Sequence, residues 1–104
     1  MEGLIMIIKI HSVKFSATKK LESFVENRIK KLSQYSDDIV GAEVFLKLEK
    51  TQDLENKVAE IRLEIPGNEL FAKKQSKSFE ESTDNVIDAL IKQITKHKEK
   101  RKGA

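Results

Sequence analysis

The sequence predicts an α+β fold, a two-layer sandwich ordered β-α-β-β-β-α, with a four-stranded sheet and both helices on one face. Three observations point there. Apolar residues recur at helical spacing in two stretches, Leu21 to Tyr35 and Phe79 to Ile94. Between them lie segments that alternate apolar and polar with period two. At 104 residues, 38% hydrophobic and 36% charged, the chain has the size of one compact domain with a real core and a heavily charged surface. Nothing but the two helices can bury the apolar face of the sheet, so both must lie on it.

Each element has its own signal. Leu4 to Ile10 is a β-rich first strand, with Ile5, Ile7 and Ile8 in a nearly continuous apolar run. Thr18 is the expected N-cap of a first helix over about 19 to 35, carrying Leu21, Phe24, Val25, Ile29, Leu32 and Tyr35 as its stripe. Ser36-Asp37-Asp38 ends it. Ala42, Val44, Leu46 and Leu48 then alternate with polar residues and Phe45, a second strand with one buried face. Thr51 to Asn56 reads as a hairpin loop, and Ala59, Ile61, Leu63 and Ile65 as a third strand. Pro66-Gly67 fits the centre of a type II turn, Pro fixing φ and Gly accepting φ > 0. Leu70 to Gln75 is a shorter fourth strand. Ser78-Phe79-Glu80-Glu81 matches a capping box, followed by the stripe Phe79, Val86, Ile87, Leu90, Ile91 and Ile94 of a helix over about 79 to 99. Residues 1–104 are expected to form a single domain, with no linker or repeat inside it.

Several function classes find no support. There is no cysteine, so disulfides, thiolate catalysis and cysteine metal sites fall away. The opening segment is too short for a signal h-region, and no run approaches a membrane span. A cytoplasmic protein without a membrane role is the expectation. His11 and His97, far apart in sequence, read as surface or structural residues rather than general bases. Asp37-Asp38 suits a turn. Gly-rich phosphate loops, metal spacings and nucleophile elbows are missing, so no enzyme, cofactor, metal or small-molecule substrate is expected.

Charge is the feature left to explain. Residues 92–102, KQITKHKEKRK, carry +5, while the whole chain is only +3. With about 100° per residue, Lys92, Lys96 and Lys100 form one i, i+4 ridge beside the apolar stripe of the last helix. In the first helix Lys20, Arg28 and Lys31 lie along one flank, with Arg28 almost inside the stripe, so that it must snorkel or be aimed at something. Were these flanks to face each other, they would form a cationic groove one helix pair wide. The bland alternative is a solvated helix end that favours the macrodipole and solubility. Phe45 and Phe71 are candidates for the open sheet face, where ordinary cross-strand packing competes with base stacking.

Three segments resemble a known family. LSQYSDDI (Leu32 to Ile39), LKLEK (Leu46 to Lys50) and above all NVIDALIKQITKHKEK (Asn85 to Lys100) are similar to the short hibernation-promoting factors. That family includes ribosome-associated inhibitor A and carries the older label sigma-54 modulation protein. The resemblance covers nearly the whole chain, and it implies a factor that binds the small ribosomal subunit in the channel for mRNA and for A- and P-site tRNA. Such a factor stops translation during stasis without catalysing a reaction. It implies contacts to rRNA backbone through Arg28 and Lys31 on the first helix and Lys92 and Lys96 on the second, continued by Lys98 and Lys100, with Lys20 an added candidate from periodicity. Relatives often carry Lys in the helical turn before Lys92, where this chain has Ala89; Lys73, Lys74 or Lys77 are candidates to compensate. With no C-terminal dimerisation domain and no acidic tail, the chain resembles the short, pairing-permissive type, which in some bacteria works with ribosome modulation factor. Double-stranded RNA-binding domains share the α-β-β-β-α order but place their lysines near the start of the last helix, where this chain has Ser78 to Glu81. A general RNA-binding module and a small regulatory protein acting through a protein partner remain as alternatives.

Overall fold

The alternating segments pair into one mixed sheet. The computed structural model describes residues 6–50, 52 and 54–103, with side chains followed as far as Glu99. Strand β1 (Ile7–Val13) is followed by helix α1 (Lys19–Lys30), which closes in a 3-10 turn (Lys31–Gln34). Strands β2 (Gly41–Leu48), β3 (Lys57–Ile65) and β4 (Asn68–Ser76) form a meander, and helix α2 (Phe79–Gly103) comes next. The sheet order is β1-β2-β3-β4, parallel between β1 and β2 and antiparallel thereafter. The parallel pair requires the α1 crossover that the sequence predicts.

Local chemistry sets the boundaries. Thr18 Oγ1 accepts the Leu21 N–H at 3.1 Å, the expected N-cap. The helix predicted to run to residue 35 tightens early, because the N–H groups of Tyr35 and Ser36 both turn onto the Leu32 carbonyl. The first strand extends past the predicted Ile10: Ser12 and Val13 still pair with Leu46 and Lys47, and the chain leaves the sheet at Lys14, whose φ is 71°. Of that expected strand, Leu4 and Ile5 lie outside the described residues, as do Thr51 and Asp53 of the expected loop. Pro66-Gly67 links Ile65 to its partner Asn68, and Gly67 has φ 74°, the left-handed conformation this turn demands. Gly41 answers a different need. A Cβ there would sit 2.8 Å from the Ile7 carbonyl oxygen, inside the β1–β2 ladder.

Both helices cover one face. Leu21, Val25, Ile29 and Leu32 meet Val86, Ile87, Leu90 and Ile94 over Ala42, Val44, Leu46, Ala59, Ile61 and Leu63 of the sheet. Full burial of each large aliphatic side chain contributes about 1.5–3 kcal/mol. The start of α2 is fastened to the sheet by polar groups. Ser78 Oγ accepts the Glu81 N–H at 3.0 Å, and buried Ser82 donates to the Lys57 carbonyl at 2.6 Å while bonding Ser76 Oγ at 2.7 Å. Among the described side chains of α2, Ile94 is the last that is buried, and the helix continues past it.

The other face of the sheet carries no helix. It presents Lys9 and His11 from β1, Glu43, Phe45 and Lys47 from β2, Glu60, Arg62 and Glu64 from β3, and Glu69, Phe71 and Lys73 from β4. Its lysines and arginine are matched in number by its glutamates.

Candidate nucleic-acid interface

Arg28 sits almost within the apolar stripe, and the structure shows where it is aimed. Its Nε donates to Asp84 Oδ1 of α2 at 2.7 Å, and its guanidinium lies 4.2 Å from the centre of the Phe24 ring. Arg28 is therefore turned toward α2. Farther along, Lys98 Nζ donates to the Tyr35 carbonyl at 2.6 Å. The two helices run in the same direction, joined at one end by Arg28–Asp84 and at the other by Lys98–Tyr35.

Lys92 and Lys96 do not face this seam. Gln93, between them in sequence, donates to the Phe71 carbonyl of edge strand β4 at 2.7 Å. Lys92 shares a concavity with Lys74, Asn85, Asp88 and Ala89, and Lys96 shares another with Asn68, Leu70 and His97. Both lysines also share a concavity with Ile91, Thr95 and Glu99, so they stand on the outward face of α2, bordered by Lys74 and Asn68 of β4. The basic residues therefore divide into two tracks, one at the seam between the helices and one on the outward face of α2. Arg28 and Lys98 belong to the seam, Lys92 and Lys96 belong to the outer face of α2, and Lys20 and Lys31 are exposed on α1 and its closing turn. The side chains of Lys100, Arg101 and Lys102 lie outside the described residues.

The tracks differ from the open sheet face in how their charges are spent. On the sheet, Lys47 Nζ bonds Glu60 Oε2 at 2.8 Å, Lys73 reaches the same oxygen at 3.6 Å, and Arg62 reaches Glu69 at 3.4 Å. His11 bonds Glu43 at 2.9 Å and stacks on Phe45 with ring centres 4.8 Å apart. Phe45 is thus occupied by ordinary cross-strand packing, while Phe71 is 46% exposed. On the helices, Lys20, Lys31, Lys92 and Lys96 make no ion pair among the described residues. A cation without an internal carboxylate keeps its full attraction for a phosphate.

Two features of this surface escape a reading of periodicity. Lys74 lies on the same side of β4 as buried Leu70 and Ala72, yet it is exposed, emerging at the strand edge beside the small Ala89. It joins Lys92 on the outer flank, while its neighbour Lys73 points to the opposite face of the sheet. Tyr35, placed in the apolar stripe by spacing, is 40% exposed because the 3-10 turn swings it out. Among the described residues no group of three or more His, Cys, Asp or Glu is arranged to hold a metal ion, and no helix is long and apolar enough to cross a membrane.

Comparisons with known proteins agree with this architecture. The ribosome hibernation promoting factor of Escherichia coli K12 is 35% identical over 85 residues, covering 82% of this chain and 85% of that protein. The protein of the same name from Pseudomonas putida KT2440 is 31% identical over 98 residues, 94% of this chain and 92% of its own. A ribosomal subunit interface protein from Coxiella burnetii shares the fold with a TM-score of 0.80 at 18% identity, over 89% of this chain and 98% of that one. The N-terminal domain of Thermus thermophilus Protein Y does so with a TM-score of 0.77 at 22% identity, over 89% and 99%. The model of the family described as sigma 54 modulation protein / S30EA ribosomal protein matches residues 8–102, and the chain belongs to that family.

Proposed function

We propose that this protein is a ribosome hibernation factor. It binds the small ribosomal subunit in the channel used by mRNA and by A- and P-site tRNA, and it blocks translation by occupancy during stasis. It works in the cytoplasm and catalyses no reaction. The observation that carries this reading is the division of charge: among the described residues both helices present lysines free of internal carboxylates, whereas on the sheet face Lys47, Arg62 and Lys73 each pair with a glutamate. The curated relatives named ribosome hibernation promoting factor, at 31–35% identity over most of the chain, support the ribosome as the target. Lys20, Lys31, Lys92 and Lys96 meet rRNA phosphates directly. Arg28 exchanges or shares its Asp84 partner with a phosphate, and Lys98 and Lys100 extend the contact toward the end of α2. In bacteria that have ribosome modulation factor, the two proteins act on the same stalled ribosomes.

The test is sedimentation with purified small subunits, followed by competition against initiator tRNA. Saturating protein should displace the tRNA and abolish peptide synthesis in a purified system. Unchanged tRNA binding would overturn the channel assignment. Failure to travel with small subunits, combined with salt-dependent binding to naked RNA, would favour a general RNA-binding module; failure of both would favour a protein partner.

A further inference from the structure

Tyr35 stands at the end of the seam between the helices, and its surroundings are those of a platform. Its backbone is held on both sides: its N–H donates to the Leu32 carbonyl at 2.9 Å, and its own carbonyl accepts from Lys98 Nζ at 2.6 Å. The ring is 40% exposed. An aromatic side chain left open on a pinned backbone loses little entropy when something flat settles on it. One cation is held against it: Lys98 carries an ammonium with three donors, of which the Tyr35 carbonyl takes one. Exposed Lys31 lies four residues earlier in the chain, and Ser36, whose hydroxyl donates to Asp38, and exposed Asp37 follow Tyr35. A phosphate near Tyr35 is therefore attracted by the Lys98 ammonium.

We propose that Tyr35 stacks on an unpaired nucleobase, with Lys31 and Lys98 taking the phosphate next to it. This rests on the ribosomal reading above and deepens it, since it names the chemistry of one contact: a single-stranded nucleotide with an exposed base face. Every base has such a face, so the contact is tolerant of sequence. Phe24, the other aromatic on this flank of α1, is already covered by the Arg28 guanidinium and is not available in the same way.

The chain supplies its own probe, because Tyr35 is its only tyrosine and there is no tryptophan. Tyrosine emission of the full chain should be quenched saturably by a short single-stranded oligoadenylate, and far less by an abasic oligonucleotide of equal length and charge. Equal quenching by both would overturn the proposal, since charge alone would then account for it. In parallel, Tyr35→Leu should weaken affinity for small subunits by about 5- to 150-fold, the range for one stacked base, while Tyr35→Phe stays within about twofold of wild type. If Tyr35→Leu binds as wild type does while Lys92→Ala/Lys96→Ala binds poorly, the stacking contact is wrong and the ribosomal reading stands. If wild type ignores small subunits yet oligoadenylate alone still quenches, the reverse holds. Should Tyr35→Leu fold poorly by thermal melting, the quenching comparison on wild type still decides.

Discussion

Lys73 and Lys74 are adjacent in sequence and opposite in circumstance. Lys73 points to the open face of the sheet, where Glu60 holds both it and Lys47. Lys74 emerges beside Ala89 and Lys92 on the flank of α2, with no ion pair among the described residues. The same contrast runs through the molecule. Both sides are rich in charge, but cross-strand register sets Glu60 opposite Lys73 and diagonal to Lys47, and Arg62 near Glu69, and such pairs cancel. Helix flanks place lysines four residues apart, so like charges line up. Charge density alone therefore does not distinguish the two surfaces; pairing does.

The contrast can be broken or sharpened by mutation. The largest effect should come from below both surfaces. Leu90 is fully buried where α2 meets the sheet, and Leu90→Ala should cost about 2–5 kcal/mol, read from the denaturant midpoint. A negligible shift would mean that α2 is not anchored and that its flanks have no fixed place. Next in size is the neutral change Glu60→Gln. The Glu60 side chain is only 14% exposed and serves two lysines, so stability should fall by about 1–2 kcal/mol. Ribosome affinity should stay level. A marked gain in RNA binding would show that the sheet face is a latent site held off by one carboxylate.

Arg28→Ala removes the pair with Asp84, whose partners are about one third and one half exposed, so stability should fall by under about 1 kcal/mol. If Arg28 also meets a phosphate, affinity for small subunits should fall with it. Reduced stability with unchanged affinity would assign Arg28 to joining the helices alone.

Much of this was legible in the sequence. Period two at Val44 to Leu48 and at Ala59 to Ile65, the Thr18 and Ser78 caps and the Pro66-Gly67 turn are local signals, and the structure places each near its expected position. The i, i+4 spacing of Lys92 and Lys96 likewise sets them on one flank. What spacing does not encode is which flank looks where. That depends on how α2 rolls to bury Val86, Leu90 and Ile94, and the roll leaves Lys92 and Lys96 on the outward face while Arg28 meets Asp84 at the seam. Of the three lysines named as candidates to compensate for Ala89, Lys74 is the one beside it, although its parity is that of core residues and only the end of the core at the strand edge exposes it. Tyr35 fits the helical stripe until the last turn tightens, and nothing in its spacing announces that.

The central claim is that helix lysines without internal carboxylates, rather than charge in general, bind the ribosome. Its most direct test is affinity for small subunits measured against salt for wild type, Lys92→Ala/Lys96→Ala and Arg62→Ala/Lys73→Ala. Each variant carries two fewer positive charges, taken from the outer flank of α2 in the first and from the open sheet face in the second. The helix pair should lower the magnitude of the salt slope by roughly 2, one for each phosphate that is no longer neutralised, while the sheet pair leaves it unchanged. Equal slopes in all three proteins, or a larger change from the sheet pair, would contradict the account.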